Sequence, residues 1–181
     1  SYSQFASFDK CPLQYKYAHL LKVPVPKEKY NLTFGKVIHN TLYHFLLPIL
    51  QGDNNLQSSL FSENKKNEEL LSEDNILKLF QKFWQDEGYE SKLERDNYYS
   101  KGKDILVNFC KKLLFDRLPQ VYFLEKDLRY KFNGNTIIGR IDRIDKLENG
   151  NFEIIDYKTG NAKESLSAED KRQLLLYKIM I

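Results

Sequence analysis

The sequence predicts an α+β protein, a short antiparallel sheet layered with helices. Apolar residues recur at helical spacing over most of the first 120 positions, β-branched and aromatic runs broken by turn residues fill 121–158, and a helical pattern returns near the end. Residues 3–20 read as a helix capped by Ser3, with a break at Cys11-Pro12. Pro24 and Pro26 make a short extended segment. Thr33 to Leu47 is a buried helix with Gly35, His39, Leu42, Tyr43 and Leu46 on one face, and Pro48 is expected to stop it. The stretch 51–75 is rich in Asn, Ser and Glu and reads as a polar surface insertion or loop. Packing helices are expected at 74–87 and 98–117. Strands follow at 121–132, 136–147 and 152–158, joined by Asn133-Gly134-Asn135 and Glu148-Asn149-Gly150-Asn151, which gives a three-stranded meander. After Thr159-Gly160 comes a polar link and a helix from about Ala168 to the end.

With 181 residues, 41% of them hydrophobic, the chain is expected to bury one core and form a single domain. No run approaches the roughly 20 apolar residues that cross a bilayer, and the first residues lack the basic start and apolar run of a secretory signal, so a cytoplasmic protein without a membrane partner is expected. Cys11 and Cys110 are the two cysteines, and neither a disulfide framework nor a zinc site is indicated. The chain starts without Met and stops inside the apolar run QLLLYKIMI, which reads as part of something longer. The net charge of +3 is unevenly distributed. Residues 1–36 carry six lysines against two acids, 51–100 eleven acids against six bases, and 101–150 eleven bases against seven acids. Basic flanks around an acidic middle suit a polyanion held on one side, although on charge alone ordinary solvated surface charge is the commoner cause.

The residues with chemical potential lie on the second and third expected strands. In Ile154-Ile155-Asp156-Tyr157-Lys158, side chains should alternate, so Asp156 and Lys158 share a face about 6.6 Å apart along the strand. Alone, the triplet is equally well a surface ion pair. Asp142, in Gly139-Arg140-Ile141-Asp142-Arg143-Ile144-Asp145, lies fourteen residues earlier across a turn, so it can be a cross-strand neighbour of Asp156. Two facing carboxylates repel, and a hard divalent cation offsets the repulsion while accepting oxygen ligands from both. Asp142 and Asp145 should face opposite ways, and Asp142 is the one expected to join Asp156.

These motifs, followed by Thr159-Gly160 and by Gln173-Leu174-Leu175-Leu176-Tyr177, resemble the PD-(D/E)XK nuclease superfamily and specifically its RecB-like branch, which includes CRISPR-associated exonucleases. Upstream, Gly35-Lys36-Val37-Ile38-His39 resembles that branch's G-x-x-x-H helix, and Ser3 to Tyr17 its entry segment. The resemblance implies a restriction-endonuclease-like fold, with a central mixed sheet begun by the meander and flanked by helices. It implies Asp142, Asp156, the main-chain carbonyl of Tyr157 and His39 as metal ligands. Lys158 is implied beside the attacking water and phosphate, Glu125 as a supporting acid, and Gln173 and Tyr177 as residues lining the site. The implied activity is hydrolysis of DNA phosphodiester bonds with Mg²⁺ or Mn²⁺, by an exonuclease of repair, recombination or CRISPR-type processing, with a helicase as possible partner.

The chemistry agrees with those roles. A metal ion stabilises charge on phosphoryl oxygens and lowers the pKa of water, and a fixed ammonium group orients the nucleophile. Gln173 and Tyr177, an i, i+4 pair, share a helix face. The bland alternatives are a core histidine at 39, an amphipathic helix surface at 173 and 177, and an exposed strand start at Glu125. Some relatives hold an iron-sulfur cluster through a cysteine placed like Cys11; four thiolates are needed and these residues contain two, so no cluster is expected from them alone, and Cys11 reads either as an iron-sulfur ligand of a longer protein or as a small buried residue. Two rival functions stay open on sequence: a catalytically silent nucleic-acid-binding or structural module of the same fold, and a phosphodiesterase acting on small nucleotides.

Overall fold

The computed structural model describes residues 1–24, 30–52, 70–115, 118–160 and 165–181. It resolves the chain into two compact units. The first comprises Ser1–Lys27, Glu125–Ile141 and Gly160–Ile181, the second Glu28–Leu124 and Asp142–Thr159. The elements in chain order are α1 (Tyr2–Lys10), α2 (Pro12–Tyr15), a π-helical turn (Lys16–Leu20), α3 (Tyr30–Gly52), α4 (Glu73–Phe83), α5 (Lys92–Phe115), β1 (Val121–Phe132), β2 (Asn135–Lys146), β3 (Phe152–Ile155) and α6 (Ala168–Met180). The three strands form one sheet in the order β1-β2-β3, and β1 and β2 each contribute residues to both units. Helices and one antiparallel sheet give the α+β class expected from the sequence.

In the second unit, α3 supplies Phe34, Val37, Ile38, Leu42, Phe45 and Leu46 to the core, α4 adds Ile76 and Phe80, and α5 adds Leu106, Cys110 and Leu113. Val121 and Leu124 of β1 close the cluster. Each fully buried large side chain contributes about 1.5–3 kcal/mol. That sum explains why Pro48, expected to end α3, lies inside it. The missing N–H and ring clash cost about 3 kcal/mol, but Phe45 and Leu46 are fully buried and Ile49 and Leu50 pack on the same core, so the helix continues to Gly52. Burial also raises the Cys110 thiol pKa, consistent with a structural cysteine.

Helix α5 begins six residues before the expected Tyr98. The sequence Ser91-Lys92-Leu93-Glu94 has the spacing of a capping box, and Ser91 Oγ accepts from the Glu94 N–H at 3.1 Å. Helix α4 is capped similarly by Ser72, whose side chain accepts from Asn75 N–H at 3.2 Å. Of the expected polar segment 51–75, residues 53–69 lie outside the described residues, its first two belong to α3 and its last three to α4. The expected polar link at 161–164, Pro26, and the last two positions of the 98–117 helix also lie outside them.

Between β2 and β3 the register pairs Arg143 with Ile155, Ile144 with Ile154, Asp145 with Glu153 and Lys146 with Phe152. β3 stops at Ile155, three residues short of the expected end, so Asp156, Tyr157 and Lys158 are not ladder residues and strand alternation does not set their directions. Extending the register by one step brings Asp142 opposite Asp156.

In the first unit, α1 starts at Tyr2 with Ser1 as its cap, so the expected Ser3 cap is corrected; Ser3 lies inside the first turn. The Ser1 amine donates to Gln4 Oε1 at 2.7 Å. The break expected at Cys11-Pro12 is present. Cys11 is extended, its Sγ accepts from Gln14 N–H at 3.4 Å, and Pro12 takes the first helical position. Cys11 is thus half-buried and caps α2, rather than filling the core. α1 is tied to α6 by Tyr2 OH donating to the Glu169 carbonyl at 2.7 Å and by the Arg172–Asp9 ion pair at 3.3 Å. Asn133 and Gly134, at φ 46° and 75°, make the tight turn that the Asn-Gly pair predicts.

Gly102 tests the packing. A Cβ there would lie 2.5 Å from Phe80 Cζ and 3.1 Å from Phe34 Cε2, and both rings are fully buried. The better helix propensity of alanine, worth about 1 kcal/mol, is outweighed by overpacking of about 1–3 kcal/mol. Gly102→Ala is therefore expected to lower stability in urea unfolding by up to about 2 kcal/mol, and a more stable variant would contradict this packing.

Candidate active site

The site in the second unit is assembled where α3 faces the segment that follows β3. Gly35 and His39 are one helical turn apart on α3, and a Cβ at Gly35 would come within 3.7 Å of Thr159 Oγ1. His39 reaches that segment directly, with Nε2 3.2 Å from the Tyr157 main-chain oxygen. Its other nitrogen, Nδ1, lies 3.4 Å from Asp142 Oδ1 on β2. The second oxygen of Asp142 accepts from the Tyr157 N–H at 2.6 Å. Tyr157 thus offers its N–H to the carboxylate and its carbonyl to the imidazole, and three elements meet at one peptide. Asp142 is 8% exposed, a burial that a carboxylate tolerates because both of its oxygens have partners.

Asp156 stands beside this group and pairs with Lys158 Nζ at 2.6 Å. Burial raises the Asp156 pKa above the ordinary carboxylate value; Asp142 pushes it further in the same direction, and Lys158 and His39 oppose the shift. The fold therefore holds a carboxylate that is not fully compensated, next to a second one, which is the electrostatic condition that a divalent cation relieves.

The expected separation of Asp142 and Asp145 has a physical counterpart. Asp145, 3% exposed, receives Arg143 Nε at 2.8 Å and Nη2 at 2.5 Å in a bidentate pair on the face opposite Asp142. Arg143 is itself 8% exposed and donates from Nη1 to the Tyr157 hydroxyl at 3.3 Å. The sequence reading gave neither Arg143 nor Asp145 a role. The available signal was the i, i+2 placement of opposite charges inside an apolar strand, which puts both on one face.

Glu125 and the glutamine-tyrosine pair belong to the first unit. Glu125 is the fifth residue of β1, not its start, and sits in the left-handed region at φ 47°. Such a conformation costs on the order of 1–3 kcal/mol, breaks the pleat and re-aims the side chain, and it clusters at functional sites. On α6, Gln173 Nε2 donates to Tyr177 OH at 2.9 Å, the i, i+4 partnership expected from spacing. Tyr177 is buried, and a Cβ at Gly139 would lie 2.9 Å from its Cε1, so this glycine of β2 is where the ring approaches the strand. Cys11 lies at the start of α2 in the same unit. His19 contacts Tyr15, and His44 bonds the Asn40 carbonyl at 2.9 Å and stacks on Phe83, which are structural roles.

Comparison with known proteins gives one finding. The model of the PD-(D/E)XK nuclease superfamily matches residues 1–181. The chain belongs to the PD-(D/E)XK nuclease superfamily. No curated protein and no solved structure matches it. Membership makes the chain a metal-dependent nuclease whose substrate is a nucleic acid, and no helix among the described residues is long and apolar enough to cross a membrane.

The donor set fits the divalent metal that this superfamily uses. His39 and Asp142 are among the described side chains whose ligand atoms lie close enough to share one ion. The Tyr157 carbonyl, and Asp156, whose charge Lys158 compensates only in part, are oxygen donors of the kind hard cations take.

A stability test follows from the Asp156 shift. Its folded pKa is raised, so the native state binds the proton more tightly than the unfolded chain, and the cost of ionising it appears as pH rises above the unfolded carboxylate value. Asp156→Asn should make the metal-free protein more stable than the native chain at pH 7, with the difference shrinking toward pH 4. Thermal melts at the two pH values check this, and a variant less stable at pH 7 would contradict it.

Proposed function

We propose that this superfamily member is a RecB-like deoxyribonuclease that hydrolyses DNA phosphodiester bonds from strand ends, in repair, recombination or CRISPR-type processing. The observation that carries the reading is the meeting of His39, Asp142 and the Tyr157 main chain beside the Asp156–Lys158 pair. A silent binding module has no need of two neighbouring acids where a phosphate approaches, since affinity for a polyanion favours bases there.

In this account Asp142, Asp156, His39 and the Tyr157 carbonyl hold Mg²⁺ or Mn²⁺, with the imidazole tilting the preference toward Mn²⁺ relative to a purely oxygen site. The bound ion supplies Lewis-acid stabilisation of the phosphoryl oxygens and makes water acidic enough to act as nucleophile near neutral pH. Lys158, held by Asp156, sets a positive charge where the attacking water and the scissile phosphate meet, and stabilises charge that grows on the phosphoryl oxygens. Glu125, Gln173 and Tyr177 belong to the first unit, where Gln173 and Tyr177 are fixed to one another on α6. A helicase supplying single-stranded ends is the proposed partner, and the cytoplasm the proposed location.

The protein is expected to degrade linear DNA with Mg²⁺ or Mn²⁺ and to spare closed circles. EDTA should abolish the activity, and Lys158→Ala should reduce it roughly 10²–10³-fold, the scale of losing one transition-state charge contact. Cleavage that persists in EDTA, or that stays near the native rate in the variant, contradicts the mechanism, and cleavage of circular or RNA substrates at equal rate contradicts the proposed specificity.

A further inference from the structure

Tyr157 lies two residues beyond the end of β3, so no ladder hydrogen bond fixes its peptide. A main-chain carbonyl has no rotamers of its own, and its direction is set by whatever holds the backbone. The N–H bond to Asp142 gives one attachment. The side chain gives the others: the ring meets His39 edge-on at 5.9 Å and Phe109 at 6.1 Å, and its hydroxyl receives Arg143 Nη1 at 3.3 Å. Arg143 cannot swing away, because its other two nitrogens, Nε and Nη2, are held bidentately by buried Asp145.

We propose that Arg143 is a positioning residue that, clamped by Asp145, holds the Tyr157 ring and thereby aims the Tyr157 carbonyl at the metal position. The chain of contacts runs Asp145, Arg143, Tyr157 hydroxyl, Tyr157 carbonyl, and it acts from the face of β2 opposite Asp142. A guanidinium suits this task because its planar fork satisfies a carboxylate with two N–H groups and keeps another for the phenol, which an ammonium group does not do in one plane. The charge pair is also a device for orientation more than for stability, since an apolar replacement of a buried ion pair is often neutral or stabilising.

This inference rests on the proposed metal at His39, Asp142 and Asp156, and the test separates the two. Mn²⁺ binding is measured by calorimetry without DNA, and thermal midpoints are measured without metal, for the native protein, Tyr157→Phe, and Arg143→Met combined with Asp145→Leu. Tyr157→Phe keeps the ring and backbone and removes only the hydroxyl that Arg143 holds, and the double variant removes the clamp without stranding a buried charge. Both variants are expected to bind Mn²⁺ about 10-fold more weakly, the usual scale for a lost outer support, while the metal-free midpoint of Tyr157→Phe stays within about 1 °C of native. Native-like Mn²⁺ affinity in either variant overturns the clamp and leaves the metal site standing. Weaker binding matched by an equal fall in metal-free stability overturns it too, since that marks a merely structural contact. A native protein that binds no Mn²⁺ overturns the metal site itself.

Discussion

The peptide of Tyr157 is the joint on which the site depends. Its N–H and its carbonyl engage Asp142 and His39, so a strand carboxylate and a helix imidazole are tied through one backbone unit. Without that tie, Asp142 would be a buried carboxylate with one oxygen unsatisfied, at a cost of roughly 1–3 kcal/mol or more. The apolar core supports the joint from beneath, because α3 is held by Phe34, Val37, Ile38, Phe45 and Leu46, and His39 inherits that fixed position. Packing energy is in this way converted into the placement of an imidazole.

Electrostatics at the same place work against the fold. Asp156 is buried beside Asp142, and Lys158 offsets only part of the penalty, since the Asp156 pKa still shifts upward. A metal-binding site of this kind is a local conflict that packing elsewhere must tolerate, and it is resolved when a cation arrives. The buried Arg143–Asp145 pair differs in kind, because its charges satisfy each other and ask for no ligand.

Much of this was legible in the residues. The Asn133-Gly134 and Gly150 turns, the β-branched runs of β1 and β2, and the glycine-histidine spacing of α3 each carry a local physical signal, and each appears where that signal puts it. The pairing of Gln173 with Tyr177 follows from helical geometry alone. What the sequence hid depends on tertiary balance. Pro48 sits inside α3 because distant core contacts outweigh its local cost, and β3 ends at Ile155 because the chain turns toward His39 instead of continuing along β2. The pairing of Arg143 with Asp145 had a partial signal in their i, i+2 spacing, but that both are buried against each other shows only in the folded chain. The early start of α5 is different, since the capping spacing of Ser91 and Glu94 is a local signal written in the residues.

Anomalous diffraction at the manganese edge from crystals soaked in Mn²⁺ tests the account most directly. One strong peak is predicted, about 2.0–2.2 Å from His39 nitrogen, carboxylate oxygens of Asp142 and Asp156, and the Tyr157 carbonyl, the range expected for small divalent cations. A peak bound elsewhere, or none with those four groups left as they stand in the free protein, would contradict it.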